Sequence, residues 1–281
     1  MTPIAFLGTG LLGSGFVHGL LARGTPVVCW NRTAARTEPL AAAGAVVAAT
    51  PAEAVRGAHR VHLCLSSDDA VDAVLAACKD AIDPTAIVVD HSTTSAAGAA
   101  RRIATIPGYL HAPVFMSPAS ARAATGMMLC SGPEARFAVV ERGLGQMTGD
   151  LWYIGEDPAR AAGLKLLGNA MLIAIAAGLA DVLTVGAGLG IAATDAHALL
   201  ARLKPGGAID VRGKRMASGD FAATFELAMA RKDLGLMLDA VGDRPLAALA
   251  AIAARADALI ARGHGGDDLG VLALDALPPK A

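Results

Sequence analysis

Lys165 and Asn169 stand one helical turn apart in the run Gly163-Leu-Lys-Leu-Leu-Gly-Asn169. On a helix that spacing puts both side chains on one face. Leu164, Leu166, Leu167, Met171 and Leu172 around them are apolar. A lysine in such surroundings loses hydration, so its pKa is expected to fall toward a range useful for proton transfer. A lone lysine is more often the exposed edge of an amphipathic helix, so the flanking pattern has to carry the catalytic reading. Far upstream, Gly8-Thr9-Gly10-Leu11-Leu12-Gly13 follows an apolar run and opens a helical one. In this G-x-G-x-x-G spacing the first glycine permits a tight turn. The second lets backbone approach a pyrophosphate, and the third lets helix and strand pack closely. A helix N-terminus there offers unpaired N–H groups and partial positive charge to phosphates. Against an ordinary βα turn, the strand–loop–helix context predicts a dinucleotide.

The second strand is expected to end at Asn31-Arg32-Thr33. An NAD-specific fold places an acid there to accept from the adenosine ribose hydroxyls. This chain has none. Arg32 can grip a 2′-phosphate through two parallel hydrogen bonds, with Thr33 and Arg36 as further contacts. The expected cofactor is therefore NADP(H) rather than NAD(H), with Asn31, Arg32 and Thr33 at its adenosine end.

The elements that must position these groups alternate. Strands are expected over 4–7, 27–30, 45–48, 61–65, 86–90, 109–114 and 127–130. Helices are expected over 13–23, with Gly24 as a C-cap glycine, over 39–43, from Pro51, over 67–79 and from about Ser95. Leu65 and Ser66, at a strand end, are expected to line the cofactor. This order predicts an α/β fold, a Rossmann-like doubly wound parallel sheet. Residues 159–262 hold long alanine- and leucine-rich segments and no convincing strand, so an all-α domain should follow. The expected division is 1–158 and 159–281, with the boundary near 155–162. The apolar stretch 170–180 is too short for a membrane span and reads as a buried core helix.

Composition narrows the function classes. The net charge of −1 leaves no basic run for nucleic acid or a membrane surface. Arg101-Arg102 is an isolated pair, expected on a solvated helix face. Charged residues are only 17% of the 281, which suggests much buried surface, and a helical oligomer would hide it. The four cysteines have no C-x-x-C spacing. Cys29 and Cys64 sit in strand-like runs as expected buried thiols, which fits a reducing cytoplasm. The N-terminal run has no basic n-region or cleavage site, so no signal peptide is expected. No metal-ligand spacing and no nucleophile–base pair stands out.

Five ordered segments resemble the β-hydroxyacid dehydrogenase family: Gly8–Gly13, Asp90-His-Ser-Thr-Thr, His111-Ala-Pro-Val with Gly126 after it, Gly163–Asn169, and Lys232-Asp-Leu. Any one is unspecific; all five in order cover nearly the whole chain. The resemblance implies a Rossmann-like domain and a helical domain with the active site in the cleft between them. It implies dimers or tetramers built on the helical domains. It gives Lys165 the role of proton donor to a carbonyl oxygen, or acceptor in reverse, and Asn169 that of fixing the substrate oxygen. Ser92 would face the substrate carboxylate, Thr93 the nicotinamide ribose, and Lys232 would close over the nicotinamide end. Without the motif, Ser92 and Thr93 read as helix caps, and Lys232 as a surface partner of Asp233 or Asp239.

One segment departs from the family. Most members read Ser-Gly-Gly after Ala-Pro-Val, a loop that grips the substrate carboxylate. Here Phe115, Met116 and Ser117 follow Val114, and bulky side chains deny the backbone approach that glycine allows. Substrate contacts are still expected from these three, in a more apolar pocket. His91 and His111 lie at strand ends, where either is within reach of substrate; for His91 a satisfied structural histidine is the plainer reading. Three functions remain open: a reductase of small semialdehydes or keto acids (or the reverse hydroxyacid dehydrogenase), an imine reductase, and a non-catalytic NADP(H)-binding sensor. Lys165 argues against the last two.

Overall fold

The computed structural model describes residues 2–277. The chain begins with β1 (Ile4–Leu7), α1 (Leu11–Ala22), β2 (Val27–Trp30), α2 (Glu38–Ala42), β3 (Val46–Val47), α3 (Pro51–Val55), β4 (Arg60–Leu63), α4 (Asp68–Cys78), β5 (Ile87–Asp90), α5 (Ala96–Thr105) and β6 (Tyr109–His111). The six strands form one parallel sheet in the order β3-β2-β1-β4-β5-β6. That is the doubly wound dinucleotide-binding order, whose strand sequence reverses beside β1 and leaves a ligand crevice at the strands' carboxyl ends. β1 is buried along its whole length because helices cover both faces. Its side chains alternate between two cores. Ile4 and Phe6 join Phe16, Val17, Cys29 and Leu110, whereas Ala5 and Leu7 join Val61, Leu63, Val71 and Val88.

A second sheet follows: β7 (Val114–Phe115), α6 (Pro118–Ala123), β8 (Met127–Cys130), α7 (Glu134–Gly145) and β9 (Asp150–Tyr153), in the order β7-β8-β9. Two sequence expectations are corrected here. Residues 109–114 are not one strand: β6 stops at His111, and Pro113, with no N–H for a ladder, marks the switch to the second sheet. β9, parallel to β8, was not anticipated. A third correction concerns Arg102. It is 1% exposed rather than solvated, with its guanidinium on Asp72 at 2.7 Å and Asp68 at 2.8 Å. Two carboxylates one helical turn apart on α4 hold a charge that α5 alone leaves unpaired.

The remaining helices are α8 (Arg160–Gly188), α9 (Ala193–Leu203), α10 (Lys214–Ser218), α11 (Leu227–Val241) and α12 (Leu249–Ala261). Compact units divide within α8, one through Asn169 and the other from Ala170 onward. In the second unit, Asp181 is 1% exposed and accepts the backbone N–H groups of Ala247, Ala248 and Leu249, capping α12. Asp268 likewise accepts from Thr224, Phe225, Gly270 and Arg212. The expectation of a short, buried core helix at 170–180 does not hold. α8 runs for 29 residues at a mean hydropathy of 2.0 in its most apolar stretch, only 11% of which is buried. Leu167, Met171, Leu172 and Ile173 are all exposed. By length and composition alone, α8 is long and apolar enough to cross a membrane.

Candidate active site

The glycine loop has the form a pyrophosphate requires. Gly8 has φ +98°, and a Cβ there would lie 2.4 Å from the Cys64 carbonyl oxygen. At Gly13 a Cβ would lie 2.1 Å from the Gly8 carbonyl oxygen, so only glycine brings α1 this close to β1. A Cβ on Gly10 would meet only Arg36 Nη1, 3.9 Å away. Gly10 therefore presents open backbone on the side where Arg36 reaches in. No side chain caps α1, which leaves its first N–H groups for an acceptor from outside. Thr9 is buried with its hydroxyl oxygen unpartnered, a further polar atom awaiting a ligand. Leu11 is 84% exposed in the first turn, beside half-buried Leu12. These features fit a dinucleotide phosphate.

Asn31 has a role the sequence did not suggest. Its Oδ1 accepts from Thr9 N–H at 3.0 Å and its Nδ2 donates to the Thr33 carbonyl at 3.0 Å. The side chain braces the glycine loop against the end of β2. Arg32 and Thr33 are exposed beyond it, with no acid nearby in sequence. Farther along the sheet edge, Leu65 is half-buried and Ser66 exposed.

The turn after β5 is built on Asp90. This fully buried carboxylate accepts from Ser92 N–H at 2.9 Å and from the Tyr109 hydroxyl at 2.5 Å. Ser92 is 2% exposed and its Oγ accepts from Leu65 N–H at 2.9 Å. Ser92 thus ties two strand ends together, leaving Thr93 as the exposed hydroxyl of the segment. Asp90 escaped assignment from sequence, although a carboxylate at a strand end before small hydroxyl residues is a known turn signal. His91 and His111 are both buried. His91 Nδ1 bonds the Ala112 carbonyl and its Nε2 meets His62 Nδ1, both at 2.8 Å, while His111 Nε2 bonds the Ser92 carbonyl at 3.0 Å. Burial pushes His91 down to about 4, so it is neutral at physiological pH and serves structure.

Lys165, on α8, is 8% exposed. Its Nζ donates to Asn169 Oδ1 at 2.9 Å and lies 4.0 Å from the centroid of the Phe115 ring. Burial lowers its pKa from the ordinary lysine value, because desolvation penalises the ammonium more than the amine. The bond to Asn169 leaves the amide NH2 as a donor for a substrate oxygen. Gly168 makes the arrangement possible: a Cβ there would sit 2.2 Å from the Phe115 ring. The bulky loop therefore packs on α8 and roofs the lysine. Gly15 and Gly19 dock α6 on α1, since Cβ atoms there would meet the carbonyls of Pro118 at 2.4 Å and Arg122 at 2.7 Å. Met116 is half-buried, and exposed Ser117 spends its hydroxyl capping α6 through Ser120 N–H at 3.0 Å. Lys232 belongs to the second unit, where it is exposed and paired with Asp233 at 2.9 Å. That is the surface pairing open from sequence.

The dinucleotide crevice and the likeness to known families define a nicotinamide-dependent oxidoreductase. Residues 3–155 match the family described as the NAD binding domain of 6-phosphogluconate dehydrogenase. The chain belongs to the β-hydroxyacid dehydrogenase family. It is 29% identical over 253 residues to an uncharacterized oxidoreductase of Shewanella frigidimarina, covering 85% of each chain. It is 26% identical over 251 residues to 2-(hydroxymethyl)glutarate dehydrogenase of Eubacterium barkeri, covering 84% of this chain and 81% of that one. Among solved structures, an imine reductase of Streptomyces aurantiacus superposes with a TM-score of 0.88 at 25% identity, covering 98% of this chain and 100% of that one.

Proposed function

We propose that the protein is an NADP(H)-dependent reductase of small semialdehydes or keto acids, or the reverse β-hydroxyacid dehydrogenase, with Lys165 as its proton donor and acceptor. The observation that carries the reading is the buried Lys165–Asn169 pair at 2.9 Å. Gly8, Thr9, Gly10, Leu11, Leu12 and Gly13 hold the pyrophosphate, Arg32 the 2′-phosphate, and Leu65, Ser66 and Thr93 the nicotinamide half. When bound, the cofactor supplies or removes the hydride. In reduction the Lys165 ammonium gives a proton to the carbonyl oxygen and refills from solvent. In oxidation the neutral amine takes the hydroxyl proton. Asn169 holds the lysine in place and orients the substrate oxygen through its NH2.

Reductive activity should therefore fall as pH rises through the Lys165 pKa, at a pH below the ordinary lysine range. Asn169→Asp puts a carboxylate at the ammonium and favours the charged form, so the falling limb of kcat/KM should move up by about 1–3 pH units. A limb that stays in place would mean that another group supplies the proton.

The test of the whole reading is NADPH and NADH binding by fluorescence, followed by turnover on a panel of semialdehydes and keto acids. Arg32→Ala should weaken NADPH binding by about 10–100-fold, the worth of hydrogen bonds to a charged group, and leave NADH binding unchanged. Equal losses for both nucleotides would remove Arg32 from the 2′-phosphate site. A second reading, imine reduction, has its own support in the apolar Phe115 roof and the similarity to an imine reductase. Turnover of cyclic imines with no turnover of carbonyls would establish it. Binding without turnover on either panel would point to a sensor.

The exposed apolar side chains of α8 support a homodimer or homotetramer, because single chains rarely leave so large an apolar face in water. Free cysteines at 29, 64, 78 and 130 are consistent with a cytoplasmic location.

A further inference from the structure

The amino ends of the central strands carry a second cationic cluster, at the opposite end of the sheet from the glycine loop. Arg60 opens β4, with His59 just before it. Thr25 precedes β2, Arg142 lies in the last turn of α7, and Gln146 follows that helix. With Thr2 they line a cavity of about 470 Å³ in which no Asp or Glu appears among the described residues. Arg60 is only 7% exposed, and its Nε has no hydrogen-bond partner. Neither Arg60 nor Arg142 forms an ion pair among the described residues. The guanidinium is seated by design of the backbone: Nη1 lies 1.7 Å from where a Cβ on residue 143 would stand, so Gly143 is what admits it under α7.

A guanidinium withdrawn from water without an anion is among the costliest groups a fold can hold. Burial pushes Arg60 down to about 10, the same strain expressed as proton affinity. The planar fork of an arginine matches carboxylate and phosphate oxygens in pairs. The cavity is also in the size range of small-metabolite sites.

We propose that this cavity binds a compact multivalent anion, a phosphate ester or a di- or tricarboxylate, gripped by Arg60 and Arg142 and oriented by Thr25 and Gln146. The site is separate from the cofactor crevice and rests on none of its assignments.

The experiment is calorimetric titration of the full-length, NADPH-saturated protein with inorganic phosphate and, separately, with citrate, at ionic strength held constant with sodium chloride. Saturable binding of at least one probe is expected, weakened about tenfold or more by Arg60→Gln and severalfold by Arg142→Ala. Arg142 is exposed, so its truncation leaves the core intact and decides the matter if Arg60→Gln does not fold. Comparing these variants separates this site from the cofactor site even if NADPH does not bind. Tighter phosphate than citrate assigns a phosphate ester, and the reverse assigns a carboxylate. No saturable binding to the wild type, or affinity unchanged by Arg142→Ala, overturns the proposal.

Discussion

Lys165→Ala is expected to lower kcat by roughly 10²–10⁴-fold, the usual worth of a positioned acid or base, while NADPH affinity stays unchanged. The lysine is buried beneath Phe115 and bonded to Asn169, so its removal deletes the proton source without touching the glycine loop. Truncation leaves a small apolar space under the ring, and water entering there is a poorer acid than a desolvated ammonium. Single-turnover rates at saturating NADPH isolate the chemical step, and a fluorescence titration reports binding separately. A mutant with the wild-type single-turnover rate would show that Lys165 is structural. Arginine at 165 should not restore activity, because its pKa lies too high for it to give up a proton near neutrality.

Gly13→Ala should abolish cofactor binding at concentrations that saturate the wild type. The added methyl would stand 2.1 Å from the Gly8 carbonyl oxygen, and both atoms belong to the loop or its helix. Relief requires α1 to move away from β1, which carries the phosphate-facing N–H groups out of place. The repacking also costs about 1–3 kcal/mol of stability, seen as a lower Tm. Gly10→Ala makes the contrasting control: open space surrounds that position, so stability should hold while the phosphate loses its approach. Equal nucleotide affinity in wild type and Gly13→Ala would mean that the loop is not the phosphate site.

Much of this architecture was legible because it rests on local rules. Apolar runs punctuated by glycine, proline and capping residues located the strands and helices of the nucleotide-binding unit. G-x-G-x-x-G after a strand identified the cofactor edge, since turn, approach and packing each require glycine at one position. The spacing of Lys165 and Asn169 placed them on one helical face, and their bond at 2.9 Å is the consequence.

What escaped depends on partners distant in sequence. Arg102 looks like a solvated arginine until α4 brings Asp68 and Asp72 against it. Asn31 reads from sequence only as a residue at the cofactor's adenosine end; the pairing of β1 and β2 shows that its amide also meets Thr9. Phe115 reads from sequence as a departure and Gly168 only as one position of the lysine segment; packing shows that the glycine admits the ring that desolvates Lys165. The sequence by itself determined most strands and helices of the nucleotide-binding unit, where a dinucleotide belongs, and that Lys165 and Asn169 share a helical face, because periodicity and glycine stereochemistry act within a few residues. The tertiary structure alone decided which charges are paired, which histidines are sealed and which apolar face of α8 is left bare, because burial is a property of neighbours that the order of residues does not list.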